Sequence, residues 1–401
     1  MKRVYITTAV TCLMLLLIFG VYYAAWEKAP DIDVLKVGFI YENDDSSPYT
    51  YNFLMAQNAL EKRLGARVQI LTRTNVLENE TEEPLRELAR QGCGLVFAIT
   101  RSEQVAEVAA SCPDTQFCQI SRRSASAAEL PANYHTFGAE LYGARYVSGV
   151  AAGMKLREMI DNKEIAPSEA LLGFVGAFEE PEVVSGYSAF LIGARSVAPE
   201  ARMLVKYAGA WCNYSREKAA AEALLEAGCL VIAQHTHSIG PAVACEAAAA
   251  SRKALLIGSN QNMIDIAPAS TLVSFRTNWT PYVVGAAQAV LDGRPIEREV
   301  PGRANGNDLT AGFDQGWTQM LELNAMVAAE GTQERMDRLV EQLRRGRLSV
   351  FKGDYVGVSN ADPKDTIDLT EGYAENEKSS YPTFNYLLKD YITILSADGV
   401  R

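Results

Sequence analysis

The stretch Gly92-Cys93-Gly94-Leu95-Val96-Phe97-Ala98 returns later in the chain as Gly228-Cys229-Leu230-Val231-Ile232-Ala233. On either side, Lys36-Val37-Gly38-Phe39-Ile40 recurs in Leu172-Gly173-Phe174-Val175, and Ala66-Arg67-Val68 recurs in Ala201-Arg202-Met203, both at an offset of 135 residues. The Gly-Cys pairs lie 136 apart, which one inserted residue at Gly94 accounts for. Solenoid repeats run to roughly 20–50 residues, so a period this long means two copies of a domain-sized unit. Within each unit, short apolar strands bounded by glycine alternate with amphipathic stretches at 50–64, 103–111, 217–227 and 241–251. Ser47 and Pro48 supply an N-cap and a first helical residue. The pattern predicts an α/β protein of two doubly wound parallel-sheet lobes.

In such sheets ligands meet the carboxyl ends of the strands. That rule singles out 42–51, 100–102 and 121–122 in the first lobe, and 178–182, 234–238 and 258–262 in the second. Tyr49, Trp211 and Trp279 fall in or beside polar loops rather than at helical core spacing, as rings stacked on a planar ligand would.

The whole chain has 401 residues, with 38 Lys and Arg against 49 Asp and Glu. The net charge of −11 comes with no compensating basic stripe, which argues against a nucleic-acid partner. Seven scattered cysteines without a C-x-x-C read mostly as small core residues. No P-loop, G-x-S-x-G elbow, H-E-x-x-H helix or G-x-G-x-x-G turn is present, and no nucleophile has a positioned base, so the chain does not read as an enzyme. His235-Thr236-His237 places two imidazoles at alternating positions, but no third ligand has sensible spacing. Neither a metal nor a cofactor is expected, and the histidines read as polar cleft or hinge residues.

Lys2 and Arg3 precede an uncharged run from Val4 to Trp26. As a helix that run would rise about 34 Å, enough for a bilayer core of roughly 30 Å. Cys12 follows Thr11 and lies inside the run, a poor lipidation site, and Tyr22 and Tyr23 spoil a small-x-small cleavage pattern near Ala24 or Ala25. The reading is a single uncleaved transmembrane helix that leaves the rest of the chain on the extracytoplasmic face of the cell membrane.

Three further stretches, Phe178-Glu179-Glu180-Pro181-Glu182-Val183, Tyr142-Gly143-Ala144-Arg145-Tyr146 and Thr277-Asn278-Trp279-Thr280-Pro281-Tyr282, stand in order with residues 189–199 and 231–236. Together they resemble the basic membrane protein (BMP) family of ABC-transporter substrate-binding proteins over roughly residues 35–350. The resemblance implies a type I periplasmic-binding-protein fold with three hinge crossings, ABC permease subunits as partners, and a purine base or nucleoside as ligand; a few outliers take other ligands such as riboflavin. It implies stacking by Tyr49 and Trp211 and a G-x-D-x-D segment that grips ribose. Here that segment is Gly258-Ser259-Asn260-Gln261-Asn262, and Ser46 and Asn213 stand where two further acids are expected. A carboxylate accepts from both hydroxyls of a diol, whereas an amide offers one acceptor and two donors. The expectation therefore moves from nucleoside toward a free base or another neutral planar ligand.

Asn52, Thr100, Glu182, Asn260 and Asn262 are the expected polar contacts, with His235 at the cleft edge, Trp279 as a third stacking ring and Phe178 as a further ligand-binding residue. The expected division is 1–34 anchor and linker, 35–138 plus 277–303 first lobe, 139–276 plus 304–350 second lobe, and 351–401 an extension packing on both. The alternatives of another class are a membrane-tethered ligand sensor of the same fold, or a receptor for a flavin-like heterocycle.

Overall fold

The computed structural model describes residues 34–122, 130–396 and 399–400; the apolar segment read as a membrane anchor lies outside them. The first lobe opens with β1 (Leu35–Tyr41), α1 (Pro48–Leu64), β2 (Val68–Arg73), α2 (Glu82–Arg90), β3 (Cys93–Ile99), α3 (Gln104–Ser111), β4 (Gln116–Ile120) and β5 (Tyr134–Ala139). The chain crosses through α4 (Leu141–Asp161) into the second lobe, β6 (Leu171–Gly176), α5 (Pro181–Arg195), β7 (Arg202–Tyr207), α6 (Tyr214–Glu226), β8 (Val231–His235), α7 (Gly240–Ala249), β9 (Leu255–Ser259) and β10 (Thr271–Thr277). It returns through α8 (Thr280–Leu291) and α9 (Ile296–Glu299) to β11 (Arg303–Asn305) and β12 (Asp308–Ala311), then crosses again to β13 (Thr318–Leu323) and α10 (Thr332–Arg344). The C-terminal stretch adds β14 (Val356–Ser359), β15 (Thr366–Asp368) and β16 (Tyr386–Leu387) as a small sheet, and β17 (Ile392–Ser396) and β18 (Gly399–Val400). Among the described residues no helix is long and apolar enough to cross a membrane.

The sheets run β2-β1-β3-β4-β5-β12-β11 and β18-β17-β7-β6-β8-β9-β10-β13. Apart from β11–β12, β10–β13 and β17–β18, neighbouring strands are parallel, and the core order 2-1-3-4-5 of the first lobe is repeated in the second as 7-6-8-9-10. Parallel sheets need cover on both faces. Accordingly β8 is buried throughout and β3 nearly so. The inserted Gly94 is a bulge: Lys36 pairs with Cys93 but Val37 pairs with Leu95, while Leu172 and Gly173 meet Val231 and Ile232 without a skip.

One expected boundary moves. Residues 304–311 do not belong to the second lobe, because β12 pairs in parallel with β5 from Asp308–Thr136 to Ala311–Ala139, and β11 pairs with β12. The last crossing therefore falls between Ala311 and Thr318.

Helices α4 and α5 touch backbone to backbone. A Cβ on Gly149 would lie 2.0 Å from the Phe190 carbonyl oxygen, one on Gly153 2.4 Å from that of Ala194, and one on Gly193 2.2 Å from that of Tyr146. Since α5 carries Glu182 in its first turn, this seam helps to set the position of the cleft. Gly149→Ala should destabilise the protein by about 1–3 kcal/mol or more, read as a lower urea midpoint, because a backbone carbonyl cannot rotate away as a side chain can. An unchanged midpoint would show that the helices slide apart freely.

Candidate ligand-binding cleft

The carboxyl ends of the two sheets face each other. The cleft between them is lined by Tyr49, Arg101, Glu182, His235, His237 and Asn260, with further hydroxyls from Ser121, Ser185, Ser259 and Thr277. Tyr49 sits in the first turn of α1, whose start is fixed by Pro48 and by Ser47 accepting from the Thr50 N–H at 3.5 Å. Asn260 follows β9 with a φ of 70°, a left-handed conformation that Asn adopts more readily than most residues.

Rings from the two lobes stack across the gap. Tyr49 lies flat on His237, with centroids 4.0 Å apart and planes 2° from parallel, and His237 in turn packs on Trp211 at 5.3 Å and 30°. Arg101 places its guanidinium 4.0 Å from the centre of the Trp211 ring. Phe178 meets the indole edge-on at 6.0 Å. The order is thus Tyr49 of the first lobe, His237 and Trp211 of the second, and Arg101 of the first. The backbone N–H of His237 donates to the Trp211 carbonyl at 2.7 Å, which holds the two residues of the second lobe side by side.

Arg101 also donates to Glu182 at 2.7 Å and lies 3.6 Å from Glu180, while its own backbone N–H donates to Glu42 at 3.0 Å. His235 Nε2 is 3.6 Å from the other oxygen of Glu182. Burial alone would raise the Glu182 carboxyl, but the Arg101 charge and the His235 imidazole outweigh it and hold the group well below the usual carboxylate range. Burial pushes His237 down to about 3, with the Arg101 charge acting the same way. Burial and the Arg145 charge lower His235, opposed by Glu182. Near pH 7 the two imidazoles are therefore neutral, and the Arg101 guanidinium is shared between Glu182 and Glu180.

Behind His235, Arg145 is fully buried. Its Nη1 donates to the Gln234 carbonyl at 2.5 Å, and its guanidinium lies 4.5 Å from the Phe275 ring centre. Arg145 Nε and Nη2 and His235 Nδ1 have no hydrogen-bond partner among the described residues. Desolvation lowers the Arg145 guanidinium to about 9.

Of the residues singled out in the sequence, Tyr49, Glu182, His235, Asn260 and Trp279 line the main cleft. Thr100 and Trp211 line a smaller recess beside Tyr49 and Arg101. Asn52 bridges the lobes directly, donating to the Asn260 carbonyl at 2.8 Å. Trp279 is only 3% exposed, with one face stacked on Phe53 at 4.8 Å and its edge region packed near Phe137 and Trp317. It is a core residue that also forms cleft wall, rather than a free stacking platform. Asn262 is not among the cleft-lining residues: its side chain accepts from the Ile264 N–H at 3.1 Å and shapes the turn. Arg101 and His237 were not among the expected contacts. The sequence marked them only through the segments 100–102 and 234–238 that follow strands, and His237 besides as a polar cleft or hinge residue. Among the described residues no cluster of three or more His, Cys, Asp or Glu side chains could hold a metal ion.

Two similar lobes, three crossings and a cleft between strand ends define a two-lobed fold built around a central cleft. A family model for PnrA-like ABC transporter substrate-binding proteins (Bmp) matches residues 33–346, and the chain belongs to that family. It is 33% identical over 263 residues to a purine-binding protein of Brucella abortus, covering 65% of this chain and 69% of that one. A Haloferax volcanii protein that carries the name ABC transporter glucose-binding protein is 28% identical over 280 residues, 69% of this chain and 64% of its own length. Among solved structures, an ABC transporter solute-binding protein from Aeropyrum pernix superposes with a TM-score of 0.60 at 18% identity, over 79% of this chain and 87% of that one, a likeness of fold.

Two outcomes follow from the electrostatics. In a double-mutant cycle, Arg101→Met and Glu182→Gln should couple by about 0.5–3 kcal/mol in denaturation free energy, whereas additive effects would mean the pair is not formed in solution. For His237, the unfolded chain takes up a proton below about pH 6.5 that the folded chain refuses down to about pH 3. Stability should therefore fall as pH drops through that window, by up to about 1.4 kcal/mol per unit for this group. His237→Phe should flatten the decline in melting temperature between pH 7 and 5, and an unchanged slope would contradict the assignment.

Proposed function

We propose that this protein is the extracytoplasmic receptor of an ABC importer, and that it closes its two lobes on a neutral purine base. The observation that carries this reading is the inter-lobe stack. Tyr49 and Trp211 lie against a neutral imidazole, and an imidazole ring is one half of a purine. A cleft that accommodates that ring with planes 2° from parallel on the Tyr49 side has the geometry of a planar nitrogen heterocycle site. Family membership and the purine-binding relative support the same ligand class. The amide of Asn260, which lines the cleft where an acid is expected, favours a base over its nucleoside.

Closure follows from contacts made by both lobes at once. Asn52 to Asn260, Tyr49 to His237 and Arg101 to Glu182 exist only when the lobes meet, so a ligand that adds to them shifts the open–closed equilibrium by its differential affinity. The closed receptor would then dock on a permease, with residues 4–26 holding it at the membrane.

The test is a thermal-shift panel on the full chain in detergent micelles, with adenine, guanine, hypoxanthine, their nucleosides, riboflavin and glucose. A ligand at 100 times its dissociation constant stabilises by roughly 2.7 kcal/mol. Bases should shift the melting temperature more than nucleosides. Tyr49→Ala and Trp211→Ala should each weaken base binding by about tenfold or more, about 1.4 kcal/mol. Silence toward every purine, with a response to riboflavin or glucose, would overturn the purine assignment.

A further inference from the structure

The family match ends at residue 346, yet two residues well beyond it, Ser380 and Pro382, line the main cleft. They belong to a loop, 375–384, that is fastened to both lobes. On the first lobe, Asp308 of β12 accepts from the Ser380 N–H at 2.7 Å and from the Ser380 hydroxyl, and its carboxylate is held in turn by Thr136 of β5 at 2.6 Å. Arg303 donates to the Asn376 carbonyl at 2.7 Å, and Asn305 donates to that of Lys378 at 2.6 Å. On the second lobe, the Ser185 hydroxyl of α5 donates to Glu375 at 2.9 Å, and the Tyr381 hydroxyl donates to Glu180 at 3.4 Å.

Glu375 organises the loop itself. It is 5% exposed, and besides Ser185 its two oxygens accept from the backbone of Asn376, Thr383 and Phe384 and from the Thr383 hydroxyl, at 2.6–3.1 Å. A buried carboxylate is tolerated when its lone pairs are filled in this way. Phe384, fully buried, then stacks on Phe351 at 4.4 Å. The fit to the first sheet is equally close: a Cβ on Gly138, at the end of β5, would lie 2.6 Å from the Ser380 carbonyl oxygen.

We propose that loop 375–384 is the hinge-side wall of the ligand cleft, and that Ser380 and Pro382 are specificity-determining residues which limit how large a heterocycle the closed lobes admit. Its location fits the role. Ser185, which anchors Glu375, is itself a cleft residue on α5, and Glu180, which receives Tyr381, is also an ion partner of Arg101. The wall therefore shares its supports with the ligand site. The ligand class rests on the purine reading, whereas the wall does not.

The experiment has two arms, both on the full chain in detergent. In hydrogen exchange without any ligand, the amides of Ser380, Thr383 and Phe384 should be protected at least 100-fold over an unstructured peptide, and Glu375→Gln should remove most of that protection. Exchange at the unstructured rate in the wild-type protein would overturn the wall whatever the ligand is. In calorimetry with adenine and adenosine, Ser380→Trp should weaken adenine tenfold or more, while Glu377→Trp, at an exposed position of the same loop, stays within twofold. Pro382→Gly leaves the Glu375 and Asp308 anchors intact and should move the adenosine-to-adenine affinity ratio at least threefold toward the nucleoside. An unchanged ratio together with an unaffected Ser380→Trp would overturn the specificity role. If neither compound binds the wild-type protein, the purine reading fails, and the exchange arm alone decides the wall.

Discussion

The guanidinium of Arg101 leaves the first lobe and ends against a carboxylate and an indole of the second. A cation in that position would be costly if the lobes closed without Glu182, and Glu182 would be costly without the cation, because each is partly withdrawn from water. Beside that pair burial keeps His235 and His237 uncharged, and rings of the two lobes stack face to face. Tyr49, His237 and Trp211 then form one stack that runs from the first lobe into the second. The helix that carries Glu182 is held in turn by the glycine seam between α4 and α5. A mutation at Gly149 is thus expected to reach the cleft through the position of α5 rather than through any direct contact.

The C-terminal stretch changes how closure has to be pictured. In a two-lobed receptor with three crossings, the side of the cleft away from its mouth is bounded by the crossings themselves. Here the loop from Glu375 to Phe384 lies there as well, fastened to Asp308 on one side and to Ser185 and Glu180 on the other. Strand β17 carries the same segment on to the edge of the second sheet beside β7. Opening must then either bend the loop or break one set of anchors. Several of the anchors are charge-assisted hydrogen bonds, the stronger kind, so the loop resists opening.

Much of the fold was legible because duplication writes the same constraint twice. The Gly-Cys-Leu-Val core strands, their offset and the odd residue at Gly94 all have counterparts in the structure, the last as a bulge. What escaped the sequence shares one cause: partners distant along the chain. Arg101 and Glu182 are 81 residues apart, and Asp308 and Ser380 are 72 apart, with nothing local to either that announces the other. The lobe boundary at 303 was misplaced because β11 and β12 have three and four residues, too few for a periodic pattern. Trp279 was read as a free ring because an aromatic just after a strand looks the same whether it caps the core or faces a ligand. Asn262 was read as a contact because a turn-forming amide and a ligand-binding amide also look alike in sequence.

A crystal structure grown in the presence of hypoxanthine or adenine tests the central claim most directly. The account predicts the base between the lobes, its plane stacked against Tyr49 and Trp211, the His237 ring moved aside or stacked on the base, and the Arg101–Glu182 pair intact. A base bound on one lobe alone, or away from Tyr49 and Trp211 with His237 still between them, would contradict it.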